Sequence, residues 1–240
     1  MTDKDKILQK HELKYRNENP LQLQHPFRAI SAGKSNSGKS YWLLKNLLLD
    51  PMMPFDKVIW CAPAFSLEQA KLQDVKKVLG SKLVFVEGLD EEKLKEMVDV
   101  KPKKEQWLIV FDDLMSKTDN GFINDLFTSG RHKNISTIEV LQRVYAGKSG
   151  RTHRLNCDYF MLHSFGDGSE VRSLLRQLDP KNFNKVYDWY CQSIKRDKGH
   201  GCLIIDNQYH GEHVGGGLLK YRDSALDRTW VGDSDSDREY

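Results

Sequence analysis

Eight residues at positions 33–40, Gly-Lys-Ser-Asn-Ser-Gly-Lys-Ser, fit the pattern G-x-x-x-x-G-K-[ST] at every fixed position. Glycines and small side chains let successive backbone N–H groups curl around phosphate oxygens, and a helix starting there adds its partial positive charge. On that reading Gly33, Lys34, Ser35, Asn36, Ser37 and Gly38 cradle a nucleoside triphosphate. Lys39 reaches its β- and γ-phosphates, and the Ser40 hydroxyl holds Mg²⁺. The bland alternative, a flexible connection, is disfavoured because the segment lies between an apolar strand and a helix. A second Gly-Lys-Ser at 147–149 is a decoy, since position 142 is Gln where the first glycine should stand.

A phosphate loop needs a carboxylate for the metal shell at the end of a neighbouring apolar strand. "LIVFDD" (108–113) supplies Asp112 for that role, and Asp113 next to it as general base toward an attacking water. Gln142 ends the strand "STIEVLQ", where a polar amide would point at the γ-phosphate or its water; the alternative is an ordinary strand-end Gln in a turn. Arg131, in "TSGRHKNIS", is expected at the same sheet edge, as an arginine finger for a neighbouring subunit; Arg151 and Arg154 compete for that role. The basic loop "QRVYAGKSGRTHR" offers Lys148, Arg151 and Arg154 to a nucleic-acid backbone, against the reading of a merely solvated loop. His200, Cys202, His210 and His213 match no zinc-finger spacing, so loop and strand-edge histidines account for them better than a metal site.

The elements that must position these groups alternate along the chain. Strands are predicted over 27–31, 57–63, 82–88, 106–115, 135–142, 158–165 and 201–207, the last closing the sheet. Helices are predicted over 39–49, 67–80, 90–99, 121–132, 168–178 and 184–194, with Gly80 and Gly130 as stops. This is the order of an α/β fold with a mainly parallel central sheet covered by helices on both faces, a three-layer arrangement that the phosphate loop makes a P-loop NTPase. Ligands of such sheets sit at the carboxyl ends of the strands, where the loop and the paired aspartates fall. The predicted division is a charged N-terminal extension (1–24), an ATPase domain (25–210) and a C-terminal extension (211–240). The latter ends in the acidic, disordered-type "VGDSDSDREY".

Composition sets the outer bounds. With 39% apolar and 30% charged residues in 240, the chain can bury one sizeable core. No run approaches the roughly 18 apolar residues of a membrane helix, and the N-terminus lacks a signal peptide's apolar core, so no membrane partner and an intracellular location are expected. Four cysteines without a CxxC pair are expected as reduced, packed thiols. A net charge of +3 neither requires nor opposes a polyanion.

Taken in order, "SAGKSNSGKS", "LIVFDDLM", "FTSGRHKNISTIEVLQ" and "GKSGRTHRLNCDYFMLHS" resemble the poxvirus-type genome packaging ATPases of the FtsK/HerA superfamily, carried by large double-stranded DNA viruses and polinton-like elements. Lys39, Ser40, Asp112, Asp113 and Gln142 match the family's motif positions, and Arg131 falls in its "GRH" segment. The family usually continues from the Gln with Asn or another polar residue; this chain has Arg143 and Val144. The resemblance implies a RecA-like (ASCE) three-layer fold and an ATP- and Mg²⁺-dependent DNA translocase. It would work as a homo-oligomeric ring, a pentamer or hexamer, threading double-stranded DNA into a preformed capsid. It also implies a capsid or portal partner, and a place in the infected cell's nucleus or virus factory, or on the virion. The competing readings are a nucleotide or small-molecule kinase, told apart by phosphate passed to an acceptor, and an ATP-dependent DNA-binding or assembly factor, told apart by very slow turnover. A helicase, told apart by strand separation, is a third.

Overall fold

The inner strands of the sheet follow from their composition. Val58–Ala62 and Leu108–Phe111 are unbroken apolar runs, which suit strands buried on both faces of a parallel sheet. A computed structural model describes residues 23–48, 55–114, 120–145, 150–207, 220–223 and 229–231. Its strands are β1 (Arg28–Ala32), β2 (Lys57–Ala62), β3 (Leu83–Glu87), β4 (Trp107–Asp112), β5 (Ile135–Leu141), β6 (Tyr159–Leu162), β7 (Leu203–Asp206), β8 (Lys220–Asp223) and β9 (Thr229–Val231). They form one sheet in the order β3-β2-β4-β5-β1-β6-β7-β8-β9. The pairs from β3 through β6 are parallel; β7, β8 and β9 join antiparallel.

Successive apolar side chains of the strands from β1 to β7 alternate between two buried clusters. Trp107, Ile109 and Phe111 of β4 face one, Leu108 and Val110 the other. The first cluster is covered by helices α4 (Glu91–Asp99), α5 (Gly121–Ser129), α7 (Ser169–Leu178) and α8 (Phe183–Ser193), through Leu94, Leu126, Leu174 and Tyr190 among others. The second is covered by α1 (Lys39–Leu43) and α3 (Ala70–Leu79), through Trp42, Leu43, Leu72 and Val75. Three short helices complete the set: α2 (Ala64–Leu67), α6 (Gly150–Leu155) and α9 (Arg196–Gly199). Cys61, Cys157 and Cys202 are buried free thiols and Cys191 is a half-buried one.

Four expectations need correction. The strand at 203–206 does not close the sheet, because β8 and β9 extend it past residue 210, where the ATPase domain was expected to end. At the other boundary Leu23 is already core, 1% exposed, so the domain starts before 25. The helix expected over 39–49 is α-helical only to Leu43 and goes on as a π-helical turn, Leu44–Leu48; the wider winding keeps Leu44 and Leu48 in the cluster that holds Trp42 and Leu43. The helix expected over 67–80 is two helices, broken at Gln69, where the Gln73 side chain donates to the Leu67 carbonyl at 2.7 Å and ends α2. Residues 1–22, the tail after 231, Lys148, His210 and His213 lie outside the described residues.

Candidate nucleotide-binding site

Parallel register puts the ends of four strands in one row. Ala32 pairs with Leu141 on one side and Leu162 on the other, and Asp112 pairs with Val140. The ladder continues into the loops: Gly33 donates to the Leu141 carbonyl at 3.1 Å, His163 to that of Ala32 at 2.8 Å, and Lys34 to that of Ser164 at 2.8 Å. Gly33, Asp112, Asp113, Gln142 and His163 therefore lie side by side at the carboxyl edge, as the predicted order required.

The loop from Gly33 to Ser40 needs its glycines for different reasons. A side chain at Gly33 would come within 2.8 Å of the His163 Cβ and 3.0 Å of the Ser164 carbonyl oxygen. Gly38 has φ +87°, and a Cβ there would meet the His200 ring at 2.8 Å. Asn36 also turns left-handed, at φ +60°, a conformation that Asn tolerates better than most residues. Lys39 folds back over the loop and donates to the carbonyls of Gly33 at 2.7 Å and Lys34 at 2.9 Å. Burial lowers the pKa of its ammonium, and Asp112 and Asp113 oppose that shift. The Ser37 hydroxyl is buried in the cradle with no hydrogen-bond partner, a donor free for an oxyanion.

Ser40 donates to Asp112 Oδ2 at 2.8 Å. Burial pushes the Asp112 carboxyl up to about 6, with Asp113 adding to the rise and Ser40 and Lys39 working against it. A hydroxyl and a buried carboxylate in contact are the hard oxygen donors that Mg²⁺ takes, and a cation there would relieve the cost of the buried charge. The next residue, Asp113, leaves the strand in a left-handed turn, φ +55°, and stands exposed. Gln142 was expected to face the γ-phosphate or its water; its Nε2 donates to Asp113 Oδ1 at 3.0 Å, because the β4 and β5 ends are neighbours.

These groups line one cavity of about 700 Å³ that also reaches Tyr41, Phe65, Lys71, Leu72 and His200. Sequence reasoning passed over this outer rim, whose residues belong to no motif, and weighed His200 only as a metal ligand. It also missed His163, fully buried under Gly33, where Nε2 shares a hydrogen with the Ser31 hydroxyl at 3.2 Å. Burial, then Lys39 and His200, drive the His163 pKa down to about 3. A histidine just after an apolar strand, on the same edge as the loop, was the available signal.

Arg131 is not at this edge. It sits exposed in the 3₁₀ turn Gly130–Lys133 that leads into β5, at the opposite end of the strands. The physical reason is the parallel crossover: the chain leaves β4 at the carboxyl edge, and α5 must carry it back to the amino edge before β5 can begin. At about 3.3 Å per residue the seven residues of β5 separate Arg131 from the phosphate loop by roughly 20 Å. Arg151 is exposed on α6, while Arg154 is half-buried, donating to the Val144 carbonyl at 3.2 Å and lying 4.3 Å over the Tyr145 ring. No cluster of metal-ligating side chains occurs among the described residues, and no described helix is long and apolar enough to cross a membrane.

Comparison with known proteins agrees with the geometry. The chain matches the family model of the poxvirus A32 protein over residues 12–161, more than half its length. It is similar in structure to the genome packaging NTPase B204 of Sulfolobus turreted icosahedral virus 2 in complex with ATP-gammaS, with TM-score 0.54 and 18% identity over 83% of this chain and 98% of that one. The same protein in complex with sulfate gives TM-score 0.53 and 16% identity over 90% and 100%. At such identity the likeness establishes the P-loop fold. No curated protein sequence matches the chain.

Proposed function

We propose that this chain, which belongs to the poxvirus A32 protein family and is a viral packaging ATPase, hydrolyses ATP at the site above to drive double-stranded DNA through a ring of its own copies into a preformed capsid. The observation that carries the hydrolytic part is Asp113, held by Gln142 at 3.0 Å on the lip of the phosphate loop.

Lys39 exchanges the Gly33 and Lys34 carbonyls for the β- and γ-phosphates, so its ammonium gains a stronger partner as the nucleotide enters. Ser40 and Asp112 would hold Mg²⁺, which neutralises charge on the phosphates. Asp113 accepts the proton of a water whose oxygen attacks the γ-phosphorus; the bond to the bridging oxygen breaks, and ADP leaves with that electron pair. Gln142 orients the carboxylate and the water. Arg131 lies too far from its own loop, so its guanidinium serves the γ-phosphate of an adjacent subunit. Arg151, with Lys148 and Arg154 as further candidates, contacts DNA phosphates without reading bases, which makes binding fall steeply with salt.

The test is ATP hydrolysis by the purified chain with and without double-stranded DNA, beside Lys39→Ala and Asp113→Asn. Turnover stimulated by DNA and lost in both variants is expected. Turnover indifferent to DNA, or phosphate passed to a small acceptor, would overturn the translocase reading.

A further inference from the structure

At the amino edge of the sheet, a buried arginine joins three elements at one point. Arg28, the first residue of β1, is 8% exposed. Its Nε donates to Asp158 Oδ2 at 2.8 Å and its Nη2 to Oδ1 at 2.6 Å, a two-pronged pair with the residue just before β6. Its backbone N–H donates to the same Oδ2 at 2.7 Å. The remaining nitrogen, Nη1, reaches across to the carbonyl of Phe127, in the last turn of α5, at 3.0 Å.

That last turn is held from its other side as well. The Phe127 ring stacks on His153 at 4.5 Å and 17°, and His153 is bonded to Glu139 at 2.8 Å and to Asn124 at 2.7 Å. Four residues beyond Phe127 comes Arg131, on the same open cavity of about 470 Å³ as Arg28 and Asp158. Among the described residues the Arg131 guanidinium makes no ion pair, and the backbone that carries it is the turn directly after the held end of α5. A buried ion pair is a costly way to join two strands, which an apolar pair would do as well. What an apolar pair lacks is the third prong, the guanidinium hydrogen on a helix-end carbonyl, whose plane is set by the fork to Asp158.

We propose that Arg28 is a positioning residue for Arg131. The fork to Asp158 aims Nη1 at the Phe127 carbonyl, locks the end of α5, and thereby points Arg131 out toward the neighbouring subunit's triphosphate. The proposal rests on the reading of Arg131 as acting on that neighbour. It also joins the two sites of one subunit, because β1 runs directly from Arg28 to Gly33.

Mixed rings of the full chain test it, with ATP turnover on double-stranded DNA as the readout. Lys39→Ala has a dead loop but an intact Arg131, so it can supply that arginine to a neighbour. Arg28→Lys alone should bind ATPγS like the parent and turn over about tenfold more slowly with KM little changed, as for loss of a charge-assisted hydrogen bond. Mixed one to one with Lys39→Ala, its turnover should rise several-fold above the mean of the two alone; mixed with Arg131→Ala, it should not rise. The control mixture, Arg131→Ala with Lys39→Ala, separates the two levels of the reading. If the control fails to recover, the role of Arg131 in trans falls and the proposal with it. If the control recovers and Arg28→Lys does not, Arg28 acts within its own subunit and the proposal alone is overturned. Should Arg28→Lys not fold, the double variant Arg28→Met with Asp158→Leu replaces the pair by apolar groups that such sites accept. It lacks the bond to Phe127, and the same recovery is expected of it.

Discussion

The two edges of the parallel sheet hold charge in opposite ways. At the carboxyl edge three polar groups lean on partners that a nucleotide and its metal can replace: Lys39 on loop carbonyls, Ser40 on Asp112, Gln142 on Asp113. At the amino edge Arg28 and Asp158 hold each other through three hydrogen bonds, and Arg28 Nη1 goes on to the Phe127 carbonyl. One edge is arranged to exchange contacts, the other to keep its shape. A motor needs both, since a rearrangement at one site does work only against a part that does not yield.

That contrast can be broken at either end. Asp113→Asn should lower turnover by about 10²–10⁴-fold, the usual worth of a general base. Its affinity for ATPγS should stay within about threefold, less than one lost hydrogen bond. Rapid hydrolysis by this variant would remove Asp113 as the base. Asp158→Asn strands a buried guanidinium, which costs roughly 3–5 kcal/mol, or roughly 6–20 °C in Tm for a domain of this size. Asp112→Asn is the mirror case. The folded chain gives up the Asp112 proton less readily than the unfolded one, since burial raises it from 3.8 to about 6. The cost of that carboxylate therefore grows as pH rises between those values and is fully present at pH 7. The variant should melt higher than the parent, while losing Mg²⁺-dependent nucleotide binding. Equal destabilisation by Asp112→Asn and Asp158→Asn in thermal melts would erase the distinction between the edges.

Smaller effects sharpen it. Gln142→Ala frees Asp113 and should slow turnover about tenfold with the fold intact. His163 stays neutral because burial holds it near 3, so below the unfolded-state value of 6.5 the unfolded chain takes up a proton that the folded one refuses. Stability falls as pH drops through that window. His163→Gln should spare about 1 kcal/mol of the loss between pH 6.5 and 5.5, measured by denaturant titration at the two pH values.

How much of this was legible depended on how local each feature is. The loop at 33–40, Asp112 and Asp113 lie in contiguous stretches whose residue types state their chemistry, and the apolar runs before them gave the strands. Arg28 and Asp158 stand 130 residues apart, and only the placement of β6 beside β1 brings them together. Arg131 was assigned to the wrong edge because sequence order tells which element comes after a helix but not at which end of the sheet the chain arrives. β8, Lys-Tyr-Arg-Asp, has neither an apolar run nor a turn signal, so pairing alone identifies it as a strand.

The most direct test of the central claim is displacement of a third strand from a blunt-ended DNA duplex during ATP hydrolysis. The account requires displacement by the parent chain, none by Lys39→Ala, and no separation of the duplex strands. DNA-stimulated hydrolysis without displacement, or with unwinding of the duplex, would contradict a motor that moves along double-stranded DNA.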